Sequence, residues 1–252
     1  MSQQKSIFFI DTEYDVRLDA NGKDPDLHSP TLRSYHKFLW SKQLPSGRVF
    51  ELEGLAKGYY LRHSSDLGEF RVGSDSVMQT FSSWDSLRNL TSQLDRNEQA
   101  HFVYQASTIG ATIIFPSNRI EGKTTINAAR GFSRRIADRF DLTLECIRRH
   151  YQGGSSPLEV VLHRYETFFK LFVDFSGYVD FFLLQDLVTD RGDVLFFTDF
   201  HDFQVDGTPR SVAEYLTFRE RSLSFIEARN SRIRDFCISK LESIANYVQS
   251  PY

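Results

Sequence analysis

Reactive side chains concentrate just before the first predicted helix, in the segment Asp24 to His28. Ser29 is a good helix N-cap and Pro30 suits the first helical position, so this segment leads into a helix N-terminus. Backbone N–H groups and the helix dipole favour anionic ligands at such a terminus. We therefore predict that Asp26 or His28 acts as a general acid or base. Two other interpretations stay open: a metal site formed with Asp24, and a turn that only caps the helix.

A second pair of acids, Asp11 and Glu13, follows the apolar run Ser6 to Ile10. The run is predicted to be a strand, and the two-residue period of a strand would place both carboxylates on one side. The pair resembles the first motif of the DEDD exonuclease superfamily, in which acids bind two metal ions. That family needs two further carboxylates, and no later acid has a recognisable spacing. A structural or capping role for Asp11 is the alternative.

The third candidate segment is the polar stretch Asn118 to Gly131, which follows a predicted strand ending at Pro116. Its amide, hydroxyl and basic side chains offer donors for a phosphate or a nucleobase edge. It lacks the GxxxxGK[ST] spacing of a P-loop. We expect Asn127 and Arg130, which stand among small apolar residues, to be partly buried and to contact a ligand. The alternative is a solvated connection.

The fourth candidate is Glu145, on a helix predicted from Arg134 to Tyr151. Asp141 lies one turn before it and Arg149 one turn after it. Such a face is usually solvated, and we expect this one to be so. If it lines a cleft beside the third segment, the like charges of the two acids would raise one pKa and provide an acid or base.

The order of the predicted elements indicates an α+β fold. Strands fall mostly before residue 118 and helices mostly after 133, so we expect one domain over residues 1–252, with a strand-rich N-terminal half packed on a helix-rich C-terminal half. Helices are predicted over Pro30 to Trp40, Trp84 to Leu94, Ser133 to Tyr151, Pro157 to Phe172 and Ser211 to Val248. The phenylalanines between residues 168 and 182 recur at helical spacing and are predicted to form core.

Composition restricts the function classes. The net charge of -3 argues against indiscriminate binding to nucleic acid, although residues 119–149 hold eight basic residues against four acids. The cysteines, Cys146 and Cys237, are far apart and typical of buried thiols in a reducing cytoplasm. No run approaches the roughly 20 apolar residues that span a bilayer. We expect a cytoplasmic protein that needs no membrane, metal or cofactor.

Several long runs resemble an uncharacterised family of bacterial proteins across nearly the whole chain. These runs are DPDLHSPTLRSYHKFLWSKQLPSG, RIEGKTTINAARGF, DRFDLTLECIRRHY and GYVDFFLLQDLV. The chain is also similar to anti-phage DNA glycosylases that remove glucosylated hydroxymethylcytosine from viral genomes. That similarity implies phage DNA with modified bases as the partner and hydrolysis of an N-glycosidic bond as the reaction. It carries over no residue roles.

Residue roles under the glycosylase hypothesis follow from the chemistry of base excision, which flips a base, stabilises an oxocarbenium-like sugar and positions a water. Asp26 or Asp11 would be the carboxylate, Asn127 would bind the water or base edge, and Glu145 is a further acid or base. The side chains predicted to contact the phosphates or the base are His28, Tyr35, His36, Trp40, Arg119, Lys123 and Arg130. A DEDD-like nuclease and a non-catalytic sensor remain alternatives. The glycosylase hypothesis requires the first and third segments to line one cleft.

Overall fold

The computed structural model describes residues 9–54, 61–66 and 68–249, with side chains as far as Glu242. In these ranges the helices are α1 Pro25–His28, α2 Pro30–Trp40, α3 Arg88–Thr91, α4 Arg96–Gln105, α5 Ile126–Phe132, α6 Phe140–Tyr151, α7 Glu159–Arg164, α8 Glu166–Lys170, α9 Phe175–Phe181 and α10 Val212–Gln249. The strands are β1 Lys42–Gln43, β2 Val49–Phe50, β3 Glu53–Gly54, β4 Leu61–Ser65, β5 Gly68–Ser76 and β6 Thr112–Pro116.

The strands form two antiparallel sheets. β1 pairs with β2, and the larger sheet has the order β3-β4-β5-β6. β5 is the longest strand and pairs with β6 in a register that sets Asp75 opposite Ile113. All five residues of β6 are buried, as expected for an apolar strand covered on both faces. The C-terminal end of β5, from Ser74 to Ser76, therefore presents polar residues beside a buried strand.

The long helix α10 joins the helical half to this sheet. Arg229 of α10 is completely buried, and its guanidinium donates to the carbonyl oxygens of Gly110 (2.8 Å), Thr112 (2.7 Å) and Phe182 (3.0 Å). Burial of a cation requires such partners, because an unpaired charge in the interior is costly. Strands in the N-terminal half and helices in the C-terminal half confirm the predicted α+β class.

The helix α2 forms as its sequence predicts. The hydroxyl of Ser29 accepts a hydrogen bond from the Leu32 N–H (3.0 Å), and Pro30 occupies the first turn. The residues on its inward face are Leu32, Tyr35, His36, Leu39 and Trp40, and all are buried. The Trp40 ring packs on Phe182 with ring centroids 5.2 Å apart. The aromatic residues predicted as core confirm that role, since Phe168, Phe169, Phe172, Phe181 and Phe182 are buried.

Four predicted helical or loop elements differ from the structure. The helix expected over Pro157 to Phe172 is divided at Tyr165 into α7 and α8. The segment before α2, expected to be a loop, is the short helix α1. The helix expected over Trp84 to Leu94 is a 3-10 turn followed by α3, and α4 was not predicted. The helix expected from Ser133 begins only at Phe140, because Ala137 and Asp138 have φ angles of 49° and 59°, which a right-handed helix does not accept.

The predicted first strand is also not observed where it can be examined. Ser6 to Phe8 lie outside the described residues. Phe9 and Ile10 are described and belong to no strand. The last helix is confirmed, and the Ser211 hydroxyl accepts the Glu214 N–H (3.1 Å) as the predicted cap. Among the helices of the described ranges, none is long and apolar enough to cross a membrane.

Candidate active site

A cleft of about 630 Å³ lies where α1, the end of β5 and the start of α5 meet. Its walls include Asp24 and Asp26 from the first candidate segment, the preceding Lys23, and Asn127 from the third segment. Ser74 and Asp75 of β5 line it between them. The structure therefore brings together two segments that are about 100 residues apart in sequence.

Asp26 is fixed in this cleft by α1 and β5. The Asp24 carboxylate caps α1 by accepting the Asp26 N–H (3.0 Å), and Pro25 follows the cap. The Asp26 carboxylate accepts the backbone N–H of Ser74 (2.6 Å). Burial raises the pKa of Asp26 to about 7; the Ser74 N–H opposes the shift, and the charges of Asp24 and Asp75 add to it. Both protonation states are thus populated near neutral pH, as acid–base catalysis requires.

Asn127, near the start of α5, also forms a hydrogen bond with Ser74 of β5. Its side-chain amide donates to the Ser74 carbonyl oxygen (3.2 Å), so Asp26 holds the N–H of Ser74 and Asn127 holds its C=O. The Asn127 Oδ1 is buried and has no hydrogen-bond partner among the described residues. A buried acceptor without a donor is unfavourable, and a ligand or water donating to it would remove that cost.

Arg130 lies behind the cleft and has a structural role. Its guanidinium is completely buried, pairs with the Asp75 carboxylate and donates to the carbonyl oxygens of Ser76 (3.1 Å) and Asp138 (3.0 Å). Its Nε donates to the Thr143 hydroxyl (2.8 Å). These partners leave the guanidinium no approach to solvent, so the structure does not present Arg130 to a phosphate. Its predicted burial is confirmed.

Two further carboxyl groups share Arg130. Burial raises the pKa of Asp75, and the Arg130 charge opposes that rise. Burial also raises the pKa of Asp138 to about 6, with Arg130 again opposing and Asp75 adding to the shift. Asp75 was not predicted as a candidate, because the apolar residues that mark β5 in the sequence end at Val72, while the strand continues to Ser76.

The structure places Asp11 and Glu13 outside the cleft lining. Asp11 is exposed, its carboxylate accepts the Glu13 N–H (2.9 Å), and its own N–H donates to the Tyr35 hydroxyl (3.1 Å). This geometry is a turn rather than the strand end that the DEDD-like hypothesis assumed. Among the described residues, no group of three or more His, Cys, Asp or Glu side chains is arranged to hold a metal ion.

The aromatic candidates of α2 belong to the core. Tyr35 is buried, and His36 accepts the Trp40 indole N–H at Nδ1 (3.0 Å). Burial lowers the pKa of His36 to about 3, with the charge of Arg229 as a smaller cause, so the imidazole is neutral. None of these rings lines the cleft around Asp26. His28 ends α1 and is half-buried beside the cleft without lining it.

The remaining basic candidates lie on an exposed loop. Arg119 and Lys123 are exposed, and the Lys123 amine pairs with Glu121 (2.7 Å). Neither lines the cleft. Their predicted phosphate contacts stay predictions.

Glu145 is buried elsewhere, on α6. Its carboxylate receives hydrogen bonds from Arg148 (2.7 and 2.9 Å) and Arg149 (2.8 Å). Asp141, one turn earlier, is also buried and pairs with Arg139 (2.5 Å). The expectation that this acidic face is solvated is wrong, because arginines on neighbouring turns neutralise both carboxylates inside the protein. Glu145 does not line the cleft.

Comparison with known proteins identifies a family but assigns no activity. Residues 10–233 match the model of a family of unknown function, DUF6994. No curated protein and no solved structure matches the chain. The predicted resemblance to an uncharacterised family is thereby confirmed, and the link to DNA glycosylases stays a prediction.

Proposed function

Because the chain belongs to this family of unknown function, we propose an activity from the cleft itself: hydrolysis of an N-glycosidic bond, with Asp26 as the acid–base residue. The observation that carries the proposal is the Asp26 carboxyl group, held in the wall of an open cleft by the Ser74 N–H, where burial raises its pKa to about 7. Structural carboxylates are usually ionised at neutral pH, whereas groups tuned to neutrality cluster at catalytic sites.

The chemistry of the reaction matches the charges around Asp26. When the bond between sugar and base breaks, its electron pair leaves with the base and positive charge develops on the sugar. Asp24 and Asp26 line the cleft and favour that charge, whereas Asp75 is paired with Arg130. Water then forms the new bond to the sugar carbon, gives one proton to the Asp26 carboxylate, and the departing base takes a proton from solvent. The products are a free base and an abasic sugar.

The cleft also fits the size of such a substrate. Its volume of about 630 Å³ lies within the range of roughly 300–1,000 Å³ that small-molecule sites occupy. The buried Oδ1 of Asn127 offers an acceptor for a base N–H or for the attacking water. At the cleft wall, Arg17 is paired with Asp15 (2.5 Å), while the exposed Lys23 is available to a phosphate.

We take the substrate to test first from the predicted link to anti-phage DNA glycosylases, namely phage DNA containing glucosylated hydroxymethylcytosine. Protein is incubated with this DNA and with unmodified DNA of the same sequence, in excess EDTA. Released base is measured by chromatography with mass detection, and abasic sites are measured as alkali-sensitive breaks. We expect base release from modified DNA, rising with pH through about 7 as Asp26 ionises.

Two variants sharpen this experiment. Asp26→Asn keeps an acceptor for the Ser74 N–H and is expected to lose about 100-fold or more of the activity. Glu13→Gln, outside the cleft lining, is the matched control and is expected to keep it. Intact sugar–base bonds after incubation with folded wild-type protein would overturn the proposal. Strand cleavage that stops in EDTA and in Glu13→Gln would instead support the DEDD-like nuclease.

A further inference from the structure

A second cleft, of about 550 Å³, lies between the β1 hairpin and α9. Lys42 to Pro45 form one wall, and residues 173–181 form the other. It shares no lining residue with the Asp26 cleft. Lys42 is half-buried in the wall of this cleft.

The Lys42 amine is surrounded by aromatic rings instead of acids. Its nitrogen lies 4.7 Å from the ring centroids of Phe181 and Phe236 and 5.2 Å from that of Trp40. Among the described residues it has no hydrogen-bond or ion-pair partner. The rings favour the ammonium form through cation–π attraction, but they cannot accept its protons as a carboxylate would.

The acids of the cleft are engaged with other groups. Asp174 caps α9 by accepting the Gly177 N–H (2.8 Å). Asp180 accepts the side-chain amide of Gln185 (2.9 Å). Among the described residues no carboxylate therefore forms an ion pair with Lys42, although the charge of Asp180 favours the protonated amine.

Two cations of α10 act on Lys42. Burial, with the charges of Lys240 and Arg229 as smaller causes, lowers the pKa of Lys42 to about 7, and the charge of Asp180 opposes the shift. Lys240 differs from Lys42, because its amine donates to the Phe38 carbonyl oxygen (2.8 Å) and is fixed there. Only Lys42 of the two is therefore left without an acceptor beside the cleft.

We propose that Lys42 is a nucleophilic lysine that forms an imine with an aldehyde ligand in the cleft between the β1 hairpin and α9. The neutral amine adds through its nitrogen lone pair to the carbonyl carbon, and one proton passes from the nitrogen to the carbonyl oxygen. The resulting carbinolamine loses its hydroxyl and the second N–H hydrogen as one water while the C=N bond forms. No oxidant or reductant is required, and the rings of Phe181 and Trp40 exclude water from one side of the imine.

The proposal is tested on the full chain with glycolaldehyde as the probe. Sodium cyanoborohydride traps each imine as a stable amine, and peptide mapping by mass spectrometry gives the rate at each lysine between about pH 6 and 10. Lys37 is the internal control, since it is exposed and lies five residues away on α2. We expect Lys42 to react about tenfold or more faster than Lys37 at pH 7, with its rate levelling off above about pH 8.

Variants that change the charge near Lys42 test whether its reactivity depends on its lowered pKa or only on its exposure. Lys240→Met removes a like charge, so the levelling of the Lys42 rate should move to higher pH while the Lys37 rate stays the same. Asp180→Asn should move it to lower pH and serves as the second variant if Lys240→Met fails to fold by circular dichroism. The proposal is overturned if Lys42 reacts no faster than Lys37, or if its rate rises to pH 10 without levelling.

Discussion

Replacing Asp26 by Asn is expected to stabilise the protein at pH 8 even though it lowers the proposed activity by about 100-fold or more. The folded state holds the Asp26 proton more tightly than the unfolded chain, since burial raises the pKa from 3.8 to about 7. Unfolding therefore releases a proton between about pH 4 and 7, and the free energy of unfolding of the wild type falls as pH rises through this window. Asn does not ionise, so the variant does not lose this part of its free energy of unfolding as pH rises.

The magnitude follows from the shift in pKa. A tenfold change in proton affinity corresponds to about 1.4 kcal/mol, so full ionisation of Asp26 in the folded state costs at most about 4 kcal/mol. Asp26 keeps some contact with water in the cleft, which screens part of this cost. We expect Asp26→Asn to exceed the wild type by about 2–3 kcal/mol at pH 8 and to match it near pH 4.

Urea denaturation, followed by circular dichroism at several pH values, measures this difference. The other acids are common to both proteins, so most of their contribution cancels when the two are compared at each pH. Asp190→Asn, an exposed position, is the control and should differ from the wild type by less than about 0.5 kcal/mol at every pH. A difference between Asp26→Asn and wild type that stays constant from pH 4 to 8 would refute the reasoning.

Three further substitutions test the packing around the two clefts, each by urea denaturation. Arg130→Met leaves Asp75 and Asp138 without their cation, and the free energy of unfolding should fall by about 3–5 kcal/mol at pH 8. A fall of less than about 1 kcal/mol would show that the charge of Arg130 is not needed for stability. Gly110→Ala places a Cβ against the Asn230 amide oxygen and should lower the free energy of unfolding by about 2 kcal/mol. The loss should be smaller when Gly110→Ala is made in the Asn230→Ala background. An equal loss in both backgrounds would contradict a clash with the Asn230 side chain. Trp40→Phe removes the indole N–H that donates to His36 and should lower the free energy of unfolding by about 2 kcal/mol. An unchanged free energy of unfolding would show that this hydrogen bond does not stabilise the protein.

The sequence identifies helices whose first turn carries a capping residue. Ser29 and Pro30 define the start of α2, and Ser211 defines the start of α10. The signal fails at residues 133–139, where the helical pattern of apolar residues continues but the backbone turns through positive φ at Ala137 and Asp138. Contacts of Arg130 with the Asp138 carbonyl oxygen help to hold that turn, and such contacts leave no local pattern.

Reactive residue types alone cannot separate site from core. His36 and Glu145 have the chemistry of catalytic groups, yet one is packed neutral against Trp40 and the other is neutralised by two arginines. Both outcomes depend on neighbours that the fold supplies. Sequence reasoning therefore included these two residues and missed Asp75.

By itself, the sequence determined the α+β class, the helix that follows Asp26 and the two segments that carry Asp26 and Asn127. The tertiary structure decided that these segments meet, because β5 offers the N–H of Ser74 to one side chain and its C=O to the other. It also decided the proton affinity of Asp26, since burial and the charges of Asp24 and Asp75 act only through distances in the folded chain.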